Sequence, residues 1–151
     1  MRSRASLSDS TRRAIFTAVF ALTTLALGGC MLFARPPKEL DYSWTRTSEA
    51  GRYRATIHPQ GDSIPKGKLQ RWTLHLETAS GSPVDSATVA VDGGMPQHGH
   101  GLPTRPRVTR ALGNGDHLVE GMKFNMGGWW TVTFTIAAPA AADSVTFNLK
   151  L

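Results

Sequence analysis

The 151-residue chain carries 17 Lys+Arg against 11 Asp+Glu, a formal charge of +6, with 15 Gly, 9 Pro and a single Cys. That length holds one ordinary domain plus a short extra segment, and 19% charged with 40% apolar residues excludes a chain too polar to fold. One cysteine excludes an intrachain disulfide and any four-thiolate zinc or iron–sulfur site.

The basic excess is unevenly placed. Residues 1–29 hold Arg2, Arg4, Arg12 and Arg13 against Asp9, a net +3; the remainder holds 13 basic and 10 acidic side chains, again +3. No later basic run is interleaved with aromatics, so nucleic acid is not an expected partner. After Arg13, Ala14–Leu27 is apolar apart from Thr17, Thr23 and Thr24. A basic start followed by ~7–15 apolar residues is the layout of a secretory signal. It ends in Leu27-Gly28-Gly29-Cys30, which resembles a bacterial lipobox and implies lipidation of Cys30 after cleavage. An uncleaved anchor is the alternative, because no charge occurs from Ala14 to Ala34 and ~18 apolar residues suffice for a spanning helix. Either reading places the rest of the chain in a bacterial cell envelope, membrane-anchored and facing the periplasmic or extracytoplasmic side. The expected organisation is a signal peptide or anchor over 1–29, a lipidated or tethering linker over 30–50, and a folded domain over 51–151. Arg35-Pro36-Pro37-Lys38 suits such a spacer.

From Arg52 onward the apolar period is two. Tyr53, Ala55 and Ile57 alternate with polar neighbours, as do Trp72, Leu74 and Leu76; Ala87, Val89 and Val91; Trp130, Val132, Phe134 and Ile136; and Val145, Phe147, Leu149 and Leu151. Asn114-Gly115, between Arg107–Leu112 and His117–Phe124, is a strong hairpin signal, since both central residues of a type I′ turn need positive φ. About seven strands without a helical period predict an all-β, antiparallel sandwich; a barrel is the second choice.

One segment breaks the alternation. Gly93-Gly94-Met95-Pro96-Gln97-His98-Gly99-His100-Gly101-Leu102-Pro103 reads as a loop carrying one thioether and two imidazoles. Farther on, Met122, Phe124 and Met126 share one face of a predicted strand, followed by Gly127-Gly128-Trp129-Trp130. Thioether sulfur prefers Cu(I), whereas imidazole accepts Cu(I), Cu(II) and Zn(II). A Met/His set lacking thiolate therefore suits copper in an oxidising compartment, held loosely enough to pass on. Trp129 is a candidate cap, through its indole face. Competing readings stand beside these. Met122 and Met126 suit an apolar core, alternation makes Trp130 the buried tryptophan, and His58 and His75 fall on the polar side of their strands. His117, just past the Asn-Gly turn, is expected in solvent. Asp92 and Asp116 are explained by turn chemistry.

Met-Pro-Gln-His-Gly-His-Gly-Leu-Pro-Thr, a strand, then Gly-Met-Lys-Phe-Asn-Met-Gly-Gly-Trp-Trp resembles the YtkA-like domain, which is related to FixH-type envelope proteins. The resemblance covers roughly Arg52–Leu151. It implies a small immunoglobulin-like sandwich, tethered to a membrane and facing outward, with roles in copper handling and haem–copper oxidase assembly. The family's first pattern falls on Met95, His98 and His100, and its second on Phe124, Met126, Gly128 and Trp129. Met126 thereby becomes the fourth metal ligand, with Met122 and Trp129 as accessory candidates. The expected function is a non-enzymatic Cu(I) carrier or assembly factor that exchanges its ion with a copper-acceptor protein. The alternatives are zinc at the same histidines or a metal-free interaction module. No carboxylate pair, nucleophile–base pair or phosphate loop suggests catalysis.

Overall fold

The computed structural model describes residues 37–151 apart from Asp62. The signal or anchor, Cys30 and the first part of the linker lie outside those residues. Among the described residues no helix is long and apolar enough to cross a membrane. The strands are β1 (Thr45–Thr47), β2 (Tyr53–Pro59), β3 (Gln70–Thr78), β4 (Thr88–Met95), β5 (His100–Gly101), β6 (Arg107–Gly113), β7 (Asp116–Met122), β8 (Trp129–Ala137) and β9 (Ala142–Lys150). They form two antiparallel sheets, ordered β1-β2-β3-β7-β6 and β5-β4-β8-β9. The chain crosses between layers after β3, β5 and β7, giving an immunoglobulin-like sandwich.

The period of two explains the layering. A strand sends alternate side chains to opposite faces, and here the inward set is apolar. Tyr53, Ala55 and Ile57 of β2 and Trp72, Leu74 and Leu76 of β3 meet Trp130, Val132, Phe134 and Ile136 of β8 and Val145, Phe147 and Leu149 of β9, each at most 3% exposed. Full burial of one such side chain contributes about 1.5–3 kcal/mol. Aromatic pairs knit the core. The Trp72 and Phe124 rings stack at 5.7 Å and Phe124 meets Trp130 edge-on at 5.2 Å, while Phe134 and Phe147 pair edge-on at 5.9 Å. Trp72 is the one buried indole reached by a buried amide: its Nε1 donates to Gln70 Oε1 and Gln70 Nε2 donates to the Pro65 carbonyl.

Among the described residues nine strands replace the seven expected, because two are too short to show a period. β1 lies in the polar stretch assigned to the linker, which therefore joins the sheet before Gly51: Thr45 pairs with Thr56, and the Trp44 carbonyl accepts from the Ile57 amide. β5 has two residues and pairs Gly101 with Gly94 and His100 with Met95. The β6–β7 hairpin turns at Asn114 and Gly115, with φ of 53° and 81°, as the Asn-Gly pair predicts.

Three other local expectations are corrected. Gly93-Gly94-Met95 is strand rather than loop. A Cβ on Gly93 would sit 2.4 Å from the Thr131 carbonyl oxygen and one on Gly94 2.5 Å from that of His100, so glycine here permits close strand approach rather than a break. The strand expected to run to Met126 stops at Met122, and Met126–Gly128 is a bend with Gly128 at φ 126°. His117 is buried, 1% exposed, with Nε2 2.8 Å from the Val84 carbonyl oxygen; a partner distant in sequence satisfies the imidazole that the adjacent turn suggested was in solvent.

Candidate metal centre

The β4–β5 hairpin builds one half of the site. Both the His98 and Gly99 amides donate to the Met95 carbonyl, at 2.9 and 3.0 Å, and Gly99 turns through φ 66°. This four-residue turn holds His98 at the hairpin tip and sets His100 directly across from Met95. Residues opposite each other in an antiparallel pair project to the same side, so the Met95 thioether and the His100 imidazole share the core-facing side at the open end of the sandwich. Met95 is 1% exposed, whereas His98 and His100 are both exposed. The two imidazoles stack with centroids 5.8 Å apart. The pair is thus exposed, with His100 set across the strand pair from the buried Met95.

The bend before β8 builds the other half. Gly128 lies against the tip of Met95, where a Cβ would come within 2.8 Å of the Met95 methyl carbon. The Trp130 indole lies edge-on to His100 at 6.1 Å, and its Nε1 donates to the Met126 carbonyl at 3.1 Å. Trp130 therefore links the histidine turn to the methionine bend from below. Met126 itself is 38% exposed. So the fold brings Met95, His98, His100 and Met126 to one end, with a chain of direct contacts between the two segments.

Two accessory candidates are placed elsewhere. Met122 is fully buried, in agreement with its reading as core. Trp129 occupies the opposite side of β8 from Trp130, and its Nε1 donates to Asn148 Oδ1 at 3.1 Å; the indole beside the histidines is that of Trp130. Alternation identified Trp130 as buried, but its meeting with His100 depends on strand register that a single sequence does not display. Gly128 likewise reads in the sequence only as part of a motif, not as a residue lying against Met95.

The remaining polar candidates serve the scaffold. His58 is exposed on β2. His75 has Nδ1 2.7 Å from Asp116 and Nε2 3.3 Å from Glu77, and Glu77 also pairs with Arg54. The Asp116 hydrogen bond, aided by Glu77 and opposed by burial, raises the His75 pKa above its ordinary 6.5. Asp116 is therefore an ion-pair partner as well as a turn residue, whereas Asp92 lies within β4 opposite Thr133, its Oδ1 accepting from the Gly93 amide at 2.7 Å, so turn chemistry does not explain it.

Among the described residues no three His, Cys, Asp or Glu side chains gather closely enough to hold a metal. Structural zinc asks for about four N, O or thiolate ligands in a tetrahedron, and two imidazoles with thioethers fit that poorly. The same donors fit Cu(I), a soft ion that accepts thioether sulfur.

Residues 47–135 match the YtkA-like family. The chain belongs to that family. The match runs from the last residue of β1 through most of β8 and includes Met95, His98, His100 and Met126. No curated protein matches the chain. The solved structure of a ZirS C-terminal domain is similar at 8% identity and TM-score 0.37, covering 99% of this chain and 95% of that one, a likeness too loose to bear on function.

Proposed function

We propose that this YtkA-like protein is a membrane-tethered, extracytoplasmic copper-binding protein, a Cu(I) carrier or assembly factor that delivers its cargo to a copper enzyme such as a haem–copper oxidase. The observation that carries the reading is the stacked His98–His100 pair, 5.8 Å between centroids, set across the strand pair from Met95 and joined through Trp130 to the Met126 bend. Two exposed imidazoles, a buried methionine paired across the strands from one of them and a further methionine partly in solvent make a soft donor set of graded accessibility. Cu(I) would be met first by the histidines and Met126 and released by exchange of those same exposed ligands to an acceptor, with no bond made or broken in a substrate. Absence of thiolate keeps affinity in the range where transfer is feasible. Cys30 would carry the lipid, or the Ala14–Ala34 stretch the anchor.

The test is a Cu(I) titration of the purified protein against a chromogenic chelator. One equivalent should bind, and the H98A/H100A double variant should lose at least about 100-fold in affinity, equivalent to roughly 2.7 kcal/mol. Unchanged tight binding by that variant would leave a metal-free interaction module in the envelope as the reading.

A further inference from the structure

The Met/His end is also where the chain enters the domain. The Trp44 carbonyl bonds the Ile57 amide, the Gly67 amide donates to the Phe124 carbonyl at 2.7 Å, and Gly128 and Leu151 exchange backbone bonds of 2.8 and 3.0 Å. Trp129 pairs with Lys150 and Gln70 with Met122. Residues 41–44, the 63–69 loop, the 123–128 bend, the carboxyl terminus and the β4–β5 hairpin therefore meet at one end of the sandwich.

Composition at that end differs from the other. Tyr42, Trp44, Leu69 and Met126 are large apolar residues left 38–69% exposed there, with Leu112 alone at the opposite end. The chain has five lysines, Lys38, Lys66, Lys68, Lys123 and Lys150, and all of them fall in the segments just named or immediately before them. Carboxylates occur at both ends. At this one Glu39 precedes Asp41, and Asp41 and Glu120 are paired with Arg46 and Arg71. Glu49, Glu77, Asp85, Asp116 and Asp143 flank the connections at the far end, where Arg54 pairs with Glu77. The five lysines and the exposed aromatics thus gather at the Met/His end, where the Asp41 and Glu120 carboxylates are already held by arginines.

We propose that this end docks on an anionic lipid bilayer surface, so that the Met/His pair faces the membrane. Tyr and Trp settle at the headgroup level, where an amphipathic ring has both an apolar and a wet side. Each lysine beside an anionic leaflet gains from its surface potential, and a domain with its lysines gathered at one end orients in that field. The reach agrees. The uncharged stretch Ala14–Ala34 ends eight residues before Tyr42, at most ~28 Å of extended chain, and a lipid on Cys30 would allow up to ~50 Å to Trp44. The inference rests on the tethering part of the proposed function and is independent of copper.

The experiment places the full chain, metal-free, in vesicles of phosphatidylcholine with about 30 mol% phosphatidylglycerol, some of the lipid brominated near the headgroup. Trp44 emission is taken as the difference between the native protein and W44F. Trp72 and Trp130 are 1% and 0% exposed and supply an internal reference that lipid bromines do not reach. Docking predicts at least about twofold quenching of the Trp44 component, reduced at least twofold by K66E/K68E/K150E or by about 0.5 M salt, which shortens the screening length to a few ångströms. Flotation with the vesicles but no Trp44 quenching overturns the docking and leaves the tether standing. Quenching that is the same in pure phosphatidylcholine overturns the anionic preference. Failure to float with vesicles removes the tether, and the docking with it.

Discussion

Met95 separates packing from ligation, because it sits in both. It is 1% exposed, and its methyl carbon lies against Gly128. Truncating a buried methionine to alanine removes transfer energy and leaves a cavity, about 2–5 kcal/mol in all; for a domain of this size at ~4 °C per kcal/mol, Met95→Ala should lower Tm by about 8–20 °C. Met95→Leu nearly conserves volume and should cost less than about 1.5 kcal/mol, a shift below ~6 °C. Leucine, however, has no sulfur. Differential scanning calorimetry of apo protein, paired with Cu(I) competition titration, should show a near-native fold and at least about a tenfold loss of Cu(I) affinity in the leucine variant, roughly 1.4 kcal/mol. Cu(I) affinity within twofold of native in a well-folded Met95→Leu protein would make Met95 a core residue alone and refute the argument from its position across from His100.

Other outcomes follow from the same coordinates. Gly128→Ala places a Cβ 2.8 Å from the Met95 methyl at φ 126° and should cost about 1–3 kcal/mol; in a Met95→Ala background the collision disappears and only the backbone strain remains, a non-additivity that a double-mutant cycle by chemical denaturation reads directly. Gly94→Ala meets the His100 carbonyl oxygen at 2.5 Å, so it should open the β4–β5 hairpin, seen as lost amide-exchange protection at Leu102, whose amide donates to the Gly93 carbonyl. Burial pushes the Asp143 carboxyl up, but hydrogen bonds from Ser48 Oγ and from the Ala50, Ser144 and Arg52 amides outweigh it and hold the pKa down to about 2. A lowered folded pKa stabilises above the ordinary 3.8 and is lost as pH falls toward 2, so Asp143→Asn should flatten the acid limb of a stability–pH curve. The His75 case has the opposite sign. Its pKa is raised from 6.5 by Asp116 and Glu77, so its contribution is whole below about pH 6.5 and fades as pH climbs through the raised value; His75→Gln should remove that fall, measured by urea unfolding between pH 6 and 9.

The two layers were legible because each long strand buries one face. Tyr53, Ala55 and Ile57, or Trp130, Val132, Phe134 and Ile136, announce their own inward side. Ligand candidates were legible for another reason: Met95, His98 and His100 are reactive types crowded into a few residues. What escaped depends on partners remote in sequence. His117 is buried because Val84 offers a carbonyl, and no local pattern announces that. Gly93 and Gly94 look like punctuation, yet they are strand residues made small by Thr131 and His100 crossing over them. The predicted strand from Met122 to Met126 failed after Met122, where Gly121, at φ 85°, breaks the alternation and the chain then bends to set Trp130 under Met126. That same bend is what makes Met126 an exposed candidate ligand rather than another core methionine.

The proposed carrier role requires one Cu(I) held jointly by the histidine turn and by methionine sulfur. X-ray absorption at the copper edge of the Cu(I)-loaded protein tests it most directly. The expected first shell contains both nitrogen and sulfur scatterers, with the nitrogen component gone in H98A/H100A and the sulfur component diminished in Met95→Leu and in Met126→Leu. A first shell of nitrogen and oxygen alone, unchanged by either methionine substitution, would contradict it.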